Sequence, residues 1–336
     1  MSSTTPQRRA TIADVAARAE VSRATVSRVM NGLSTVEPGI AERVRAAAAD
    51  LSYRPSETAR NLSLGRTHTV AVVVPDLGNP MFQAILRGVT RAAAEDGYRV
   101  LVGDTQESAA AEMDAAIEAR RRCDALVLCA PRMDDDRLAQ VLGATAPLAL
   151  VNRVVADEDV PQVAMDYGQA IGLIIDHLEG WGHRHLVYLG GPTASASNRL
   201  RIAALDAATR RHPELRIDRF TTGAGLEDGW SSADLVMGTG ATAVVAYNDL
   251  VALGLLSRLR ELEVAVPGRL SVVGVDDIPY ARFSDPTLTT VSVPQDELGA
   301  AVWRRLHHAM DGLPPEGPLW LEGALQARES SGPPAR

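Results

Sequence analysis

The chain has 336 residues, of which 46% are hydrophobic, and carries a formal net charge of −8 with only two cysteines. This length is typical of about two domains, and the hydrophobic fraction is ample for buried cores. Two cysteines exclude a disulfide framework and no apolar stretch approaches a membrane span, so we expect a cytoplasmic protein without a membrane partner.

The charge is unevenly distributed along the chain. Residues 1–66 contain ten arginines and six acidic residues, a net +4, which leaves −12 for the remainder. A basic N-terminal module attached to an acidic body is the distribution expected of a protein that holds phosphates with one end.

The first predicted elements are two short helices around a tight turn, within Thr11–Asn31. Thr11 and Asp14 have the spacing of a capping box, and Ser22 is placed to cap the second helix. The outward face of that helix carries short polar and guanidinium groups of the kind that reach bases and phosphates: Arg23, Ala24, Thr25, Ser27 and Arg28. On its own, such a pair is as typical of a packing motif as of a helix-turn-helix.

A third helix is predicted over about 39–51, followed by a proline-stopped turn and one short helix within Tyr53–Leu62. Isolated helices of this length are unstable in water. We therefore expect the last helix to order only against a partner such as DNA or a dimer mate.

Two motifs carry a family resemblance. Val21–Asn31 matches V-S-x-x-T-V-S-R-V-x-N, and Tyr53–Leu62 matches Y-x-P-S-x-x-A-R-x-L. On these residues the chain resembles the LacI/GalR family of bacterial transcription regulators, from about Thr11 to about Arg328. The resemblance implies an all-α helix-turn-helix DNA-binding domain with a hinge helix, then an α/β periplasmic-binding-protein-like core of two doubly wound parallel-sheet subdomains.

The resemblance also implies roles in DNA binding. Arg23, Ala24 and Arg28 would read bases, and Leu62 matches the apolar wedge that enters the minor groove. Glu20 occupies a turn position where the family commonly has glycine, which indicates either a left-handed backbone strained by about 1 kcal/mol or a slightly different turn. The expected DNA-binding residues are Thr11, Ser22, Arg23, Ala24, Thr25, Ser27, Arg28, Asn31, Tyr53, Ala59 and Leu62.

From Thr69 onward, short apolar runs alternate with amphipathic helices, which predicts parallel sheets covered by helices on both faces. The predicted strands are 70–74, 99–103, 125–129, 148–151, 186–190, 243–246 and 270–275. The predicted helices lie near 80–96, 109–121, 168–180, 199–211 and 248–262.

The predicted domain boundaries combine this alternation with the return crossing that the resemblance implies. They give a helix-turn-helix domain at 1–55, a hinge and linker at 56–66, an N-subdomain at 67–162 plus 292–320, a C-subdomain at 163–291 plus 321–330, and a disordered tail at 331–336.

Open α/β sheets bind ligands at the carboxyl ends of their strands, so two facing subdomains predict a cleft lined by strand-end loops. The resemblance implies roles for three residues of this cleft: Arg201 would bind a hydroxyl pair or a carboxylate, Asp276 would accept hydroxyl hydrogens, and Trp230 would stack on a sugar ring. The expected effector-binding residues are Asp76, Asn79, Phe82, Asn152, Arg153, Ser195, Ser197, Arg201, Trp230, Asn248 and Asp276.

Several of these residues have alternative interpretations. Asn248 is also placed to cap a helix, Asp276 could be a turn acid, and Arg153 could pair with the acidic loop 156–160. His183 and His185 are spaced like metal ligands, but a surface loop is the preferred interpretation, and no metal or cofactor is expected.

The sequence favours a regulator over an enzyme, because it lacks a G-x-G-x-x-G after the first strand, a P-loop and a G-x-S-x-G elbow. The main rival is a sugar-binding protein of a transport system, which would lack the helix-turn-helix. We therefore expect a homodimeric repressor that binds a palindromic operator and responds to a small molecule, a sugar first, with nucleosides or purines as alternatives.

Overall fold

The computed structural model describes residues 10–30, 35–53, 66–314 and 316–335, and it divides at Thr67 and His68 into two units. The hinge predicted at 56–66 therefore lies almost entirely outside the described residues, as do Asn31, Ala59 and Leu62. None of the described helices combines the length and apolar composition that a membrane span requires.

The described part of the N-terminal unit is built from α1 (Ile12–Ala19), α2 (Arg23–Met30) and α3 (Pro38–Asp50). The predicted capping box of α1 is confirmed, since the Thr11 amide donates to Asp14 Oδ2 over 2.8 Å and the Asp14 amide donates to Thr11 Oγ1. The three helices pack through the fully buried Val15, Val26 and Val44. Two turns of helix cannot bury a core alone, so each helix depends on the other two.

Of the two alternatives for the turn between α1 and α2, the structure has the left-handed backbone at Glu20, with φ 57° and ψ 46°. A residue with a Cβ adopts this conformation at a cost of about 1 kcal/mol relative to glycine. The Val21 amide donates to the carbonyl of Ala16 over 3.0 Å, which closes the turn and directs the chain into α2.

The second unit contains two six-stranded sheets. The first has the order β11-β5-β4-β3-β1-β2 and is parallel throughout, with strands β1 (Thr69–Val74), β2 (Arg99–Asp104), β3 (Ala125–Cys129), β4 (Leu148–Val151), β5 (Gln162–Met165) and β11 (Leu319–Leu321). The second has the order β12-β10-β9-β8-β6-β7, with strands β6 (His185–Gly190), β7 (Arg216–Thr221), β8 (Ala243–Ala246), β9 (Ser271–Asp276), β10 (Thr289–Ser292) and β12 (Ala324–Gln326). Only the β10–β12 pair of the described sheets is antiparallel.

Helices cover the faces of these sheets, and most begin at a side chain that caps the first turn. They are α4 (Pro80–Glu95), α5 (Ala109–Arg122), α6 (Asp135–Thr145), α7 (Tyr167–Gly180), α8 (Ala196–Arg211), α9 (Leu226–Ser231), α10 (Ala233–Thr239), α11 (Asp249–Glu261) and α12 (Gln295–Met310). The capping side chains, which accept a backbone N–H, are Asn79, Ser108, Asp134, Asp166, Ser195 and Asn248.

The chain crosses between the sheets three times. The first crossing follows Met165, because Gln162–Met165 pairs in parallel with β4; the predicted boundary at 162 therefore lay one strand too early. After β10 the chain returns to the first sheet, where Gly88 of α4 and Gly299 of α12 let the two helix backbones touch. A Cβ on Gly88 would lie 2.2 Å from the carbonyl oxygen of Asp296.

The chain's last described residues correct two predictions. Ser331 and Gly332 are buried, and Ser331 Oγ lies 2.8 Å from His177 Nε2, so the disordered tail predicted over 331–336 is wrong at these positions. His183 is also fully buried, and its two ring nitrogens form hydrogen bonds with Thr242 Oγ1 and the Gly332 carbonyl. The sequence could not reveal this burial, because the two partners of His183 lie 59 and 149 residues away along the chain. The surface loop predicted for His183 is therefore wrong.

Candidate functional site

In the N-terminal unit, α2 separates into a buried side and an exposed side. Val26 and Val29 face the core, whereas Arg23, Ala24 and Arg28 are exposed. The amphipathic spacing thus leaves two guanidinium groups and a small side chain on one surface, the arrangement by which a helix reads a DNA groove.

The other described residues predicted to bind DNA have local structural roles as well. Ser22 Oγ accepts the Thr25 amide over 3.1 Å and lies 2.9 Å from Thr25 Oγ1, so it caps α2 as expected. Thr11 belongs to the capping box of α1, and Ser27 is half-buried. Tyr53 packs against the core of the unit, and burial raises its pKa.

In the second unit, residues from the carboxyl ends of strands in both sheets line one cleft. Seven of the eleven predicted effector-binding residues line it: Asn79, Phe82, Asn152, Ser197, Arg201, Asn248 and Asp276. The strand-end rule therefore identified residues that line one cleft, although they span almost 200 positions of sequence.

Arg201, on α8, is the buried cation of the second-sheet wall. Its side chain is only 2% exposed, and its guanidinium carbon lies 3.9 Å from the ring centroid of Tyr167 and 4.4 Å from that of Tyr247. Its Nε and Nη1 atoms have no hydrogen-bond partner among the described residues. Stacking between two rings fixes the guanidinium plane while leaving donors free to bind a ligand.

Asp276, at the end of β9, is the matching acceptor. Its side chain is buried and its Oδ1 has no hydrogen-bond partner within the described chain. Burial raises the pKa of this carboxyl to about 7, although the charge of Arg201 opposes the shift. The residue has φ 116°, a left-handed backbone that is strained for a residue with a Cβ.

Asp249, the first residue of α11, forms hydrogen bonds that hold the loop after Asp276 in place. Its Oδ1 accepts the hydroxyl of Thr290 over 2.5 Å, and its Oδ2 accepts the Ile278 amide over 2.9 Å. Burial, and next the charge of Asp276, raise the pKa of Asp249 well above its usual range. A Cβ on Gly274 would lie 2.1 Å from Asp249 Oδ1, so glycine is required there for the carboxylate to fit.

The first-sheet wall contains a second arginine, in a different state. Arg132 is buried and donates to both carboxylate oxygens of Glu107, over 2.5 and 2.8 Å, and to the Ala130 carbonyl over 2.8 Å. Glu112 accepts the backbone amides of Arg132 and Met133, and burial raises the pKa of Glu112. Arg132 therefore has its hydrogen bonds satisfied within the protein.

Sequence reasoning missed half of the cleft lining, namely Met81, Glu107, Ala130, Arg132, Tyr167, Ala224 and Tyr247. Tyr247 directly precedes Asn248 at the end of β8, and Tyr167 begins the helix after β5. Their strand-end positions were a usable signal. Nothing in the sequence connects Glu107 with Arg132, since they are 25 residues apart on different loops.

Four predicted residues lie away from the lining. Trp230 packs on α11, with Arg258 over its ring at 4.5 Å and its Nε1 donating to Glu261 over 3.2 Å. Arg153 is buried against Asp135, not the acidic loop, with 2.5 Å between Nη2 and Oδ1. Asp76 accepts the Gly78 amide. Ser195 caps α8 behind the lining, 2.9 Å from the Tyr247 hydroxyl.

The chain matches two family models. The model described as bacterial regulatory proteins, lacI family, matches residues 11–56, and the model of a periplasmic binding protein-like domain matches residues 175–331. The first match contains all of α1, α2 and α3.

Curated relatives are similar over most of the chain. The HTH-type transcriptional repressor CytR of Escherichia coli (strain K12) is 31% identical over 312 residues, which is 90% of each chain. The HTH-type transcriptional regulator GalR of Salmonella typhimurium is 34% identical over 291 residues, which is 85% of each chain.

Two solved structures are similar over almost the whole chain. The lac repressor dimer bound to operator and the anti-inducer ONPF has a TM-score of 0.85 at 27% identity, covering 97% of this chain and 100% of its own. The complex of transcriptional regulator CelR with cellobiose has a TM-score of 0.69 at 28% identity, covering 96% of this chain and all of its own.

Proposed function

The chain belongs to the lacI family of bacterial regulatory proteins, and we propose that it is a transcriptional repressor whose operator affinity is controlled by a small hydroxyl-rich molecule bound in the cleft. One observation carries the effector site: buried donors and acceptors on Asn152, Arg201 and Asp276 converge there without partners in the described chain. Buried polar atoms are almost always paired, so an unpartnered set in a cleft favours a ligand site.

The proposed DNA contacts follow from α2. Arg23, Ala24 and Arg28 face outward and would read bases in the major groove, while the hydroxyls of Ser22, Thr25 and Ser27 would hold phosphates with Asn31 and Tyr53. Leu62 and Ala59 belong to the proposed hinge in the minor groove.

The proposed operator is palindromic, because a two-fold dimer presents two copies of α2 to adjacent grooves. The lac repressor to which the chain is similar was solved as a dimer on its operator. The short 3₁₀ helix Pro279–Arg282 supports a dimer here, since Tyr280 is exposed and Phe283, which follows the helix, is 85% exposed. Apolar rings this exposed are typical of contact surfaces. Bound to DNA in this way, the protein would act in the cytoplasm, associated with the nucleoid.

A sugar is the effector class that this cleft favours. Arg201 supplies donors and Asp276 an acceptor, which together fit a pair of neighbouring hydroxyls. The positive charge of Arg132 is already neutralised by the carboxylate of Glu107, so the first-sheet wall offers no unpaired cation to an anionic ligand. A coupling of about 1 to 3 kcal/mol between cleft and hinge would change operator affinity by about 5-fold to 150-fold.

A nucleoside is the second candidate, and the aromatic lining supports it. Phe82, Tyr167 and Tyr247 all face the cleft, and aromatic rings stack on a nucleobase as readily as on the apolar face of a sugar. Arg201 and Asp276 would then bind the ribose hydroxyls.

Selection of DNA sites from a random duplex pool tests the regulator itself. The purified full-length protein should enrich a palindrome of about 14 to 20 base pairs, and Arg23→Ala should relax the base preference in each half-site. Sugars and nucleosides are then screened for release of the enriched duplex. If no palindrome is enriched, the proposal of a dimeric repressor is contradicted. If the Arg201→Met variant releases the duplex as the wild type does, the cleft is not the effector site.

A further inference from the structure

A second concave surface lies on the outer flank of the first sheet, away from the cleft. It runs between α6 and the loop 154–161, and its apolar surface is formed by Leu138, Leu142, Val155, Val160 and Pro161, with Gly143 on its helix wall. No residue of this flank groove lines the cleft. Occupation of the groove would therefore leave the effector site open.

The helix wall of the flank groove is open rather than packed. Ala139 and Gly143 are exposed, and a Cβ built on Gly143 would meet no atom within 4 Å. Leu138 is buried beneath them and Leu142 is half-buried, so the apolar surface continues from the core to the rim. A helix of this length spans about 16 Å, which is enough to seat about three turns of a second helix.

The opposite rim is acidic. Asp157, Glu158 and Asp159 are consecutive and exposed, and none of the three forms an ion pair with any described residue. Asp135, at the start of α6, adds a fourth carboxylate, although it pairs with Arg153. An apolar surface beside carboxylates that have no ion-pair partner among the described residues complements a ligand that is apolar on one side and cationic on the other.

We propose that the flank groove binds a short basic amphipathic segment of a second protein. Apolar side chains at helical spacing would contact Leu142, Val155 and Val160, while lysines or arginines would face the carboxylates of Asp157 and Asp159. Such a partner could join the repressor on DNA without competing for the effector.

The same charges disfavour two other occupants. DNA phosphates would be repelled by the acidic loop. A second copy of this chain, docked by the same groove about a two-fold axis, would bring two such loops together.

Gly143→Trp is the most direct test, because it fills the groove from a position where the structure leaves room. Tryptophan also has a higher helix propensity than glycine, so the fold should tolerate it. Gly172→Trp is the matched control: Gly172 also lies in a helix, α7, and a Cβ there meets nothing within 4 Å. Operator binding by both full-length variants should equal that of the wild type, which confirms that they are folded.

The probe is a displayed library of random peptides of about 16 residues, long enough for four helical turns, selected on the full-length protein. We expect enriched peptides with net positive charge and apolar residues spaced three and four apart. By fluorescence anisotropy, Gly143→Trp should weaken an enriched peptide at least about tenfold, and Gly172→Trp should leave its affinity unchanged. A double variant, Glu158→Arg with Asp159→Arg, should also weaken it and reduce its salt dependence.

Three results would overturn the proposal. One is enrichment of peptides without positive charge, and another is equal peptide affinity for Gly143→Trp and the wild type. The third comes from sedimentation. If the Gly143→Trp variant differs in oligomeric state from the wild type and the Gly172→Trp variant does not, the groove is a contact between copies of this chain.

Discussion

Each wall of the cleft contains a buried arginine, and the two arginines differ in their hydrogen-bond partners. Arg132, on the first-sheet wall, has a bidentate carboxylate partner and a carbonyl acceptor, whereas Arg201, on the second-sheet wall, has two aromatic faces and two unpartnered nitrogens. A satisfied buried cation is part of the scaffold, and an unsatisfied one is available to a ligand. The difference separates structural residues from recognition residues within a single lining.

Arg201→Met should have the largest effect, on effector binding. Loss of two or more charge-assisted hydrogen bonds at about 1.5 to 3 kcal/mol each predicts at least about 100-fold weaker binding. Operator affinity without effector should stay at the wild-type level, since Arg201 lies in the second unit. Calorimetric titration of the effector measures the first quantity and a duplex-binding assay the second. A variant that still binds effector within about threefold would remove Arg201 from the recognition residues.

Arg132→Met should instead affect stability. Removing Arg132 leaves Glu107 without its partner at the cleft, and we expect a loss of about 2 to 3 kcal/mol, below the range for a fully buried pair because Glu107 is partly exposed. Arg201→Met should change the free energy of unfolding by less, because no carboxylate loses a direct hydrogen bond. Urea unfolding of both variants makes the comparison. Equal losses would show that the two arginines are equivalent in the folded protein.

Asp276, on the second-sheet wall, should contribute to the pH dependence of stability. Asp276 has a pKa of about 7 in the folded protein and about 3.9 in the unfolded chain. The folded state therefore holds the Asp276 proton more tightly, so the contribution of Asp276 to the free energy of unfolding should fall as pH rises from about 4 to about 7.

Asp276→Asn should remove this contribution, while the contributions of Asp249 and Glu112, whose pKa values are also raised, remain. Thermal unfolding of wild type and variant across this range measures the difference. Identical pH profiles would mean that Asp276 ionises in the folded protein as it does in the unfolded chain.

Sequence periodicity predicted most of the fold because each signal was local. The capping box at Thr11, the apolar stripe of α2 and the alternation of buried strands with helices all depend on residues a few positions apart. The strands β5 and β12 were missed, because β5 begins with a glutamine and β12 has only three residues, so neither forms the apolar run that marked β4 and β8. The first crossing was therefore placed at Gln162, before β5, instead of after it.

The candidate site was predictable only where strand ends mark it. Asn152 and Asn248 lie within two residues after a strand, Asp276 is the last residue of β9, and all three were found by that rule. The Glu107–Arg132 pair is a tertiary contact between loops, and no sequence period connects its members. Trp230 was assigned to the cleft by resemblance alone, and its helix α9 packs it against α11 instead.

Trp230→Ala should consequently have the smallest effect on the cleft. The indole contacts Arg258 and Glu261, so its removal should lower the free energy of unfolding by about 1 kcal/mol through lost packing and cation–π contact. Effector affinity, measured by the same titration as for Arg201→Met, should stay within about twofold of the wild type, because Trp230 does not line the cleft. A large loss of affinity would mean that the effector-bound protein brings Trp230 to the ligand. Recognition would then require a rearrangement of α9, and the second-sheet wall would include an aromatic plate in addition to Tyr167 and Tyr247.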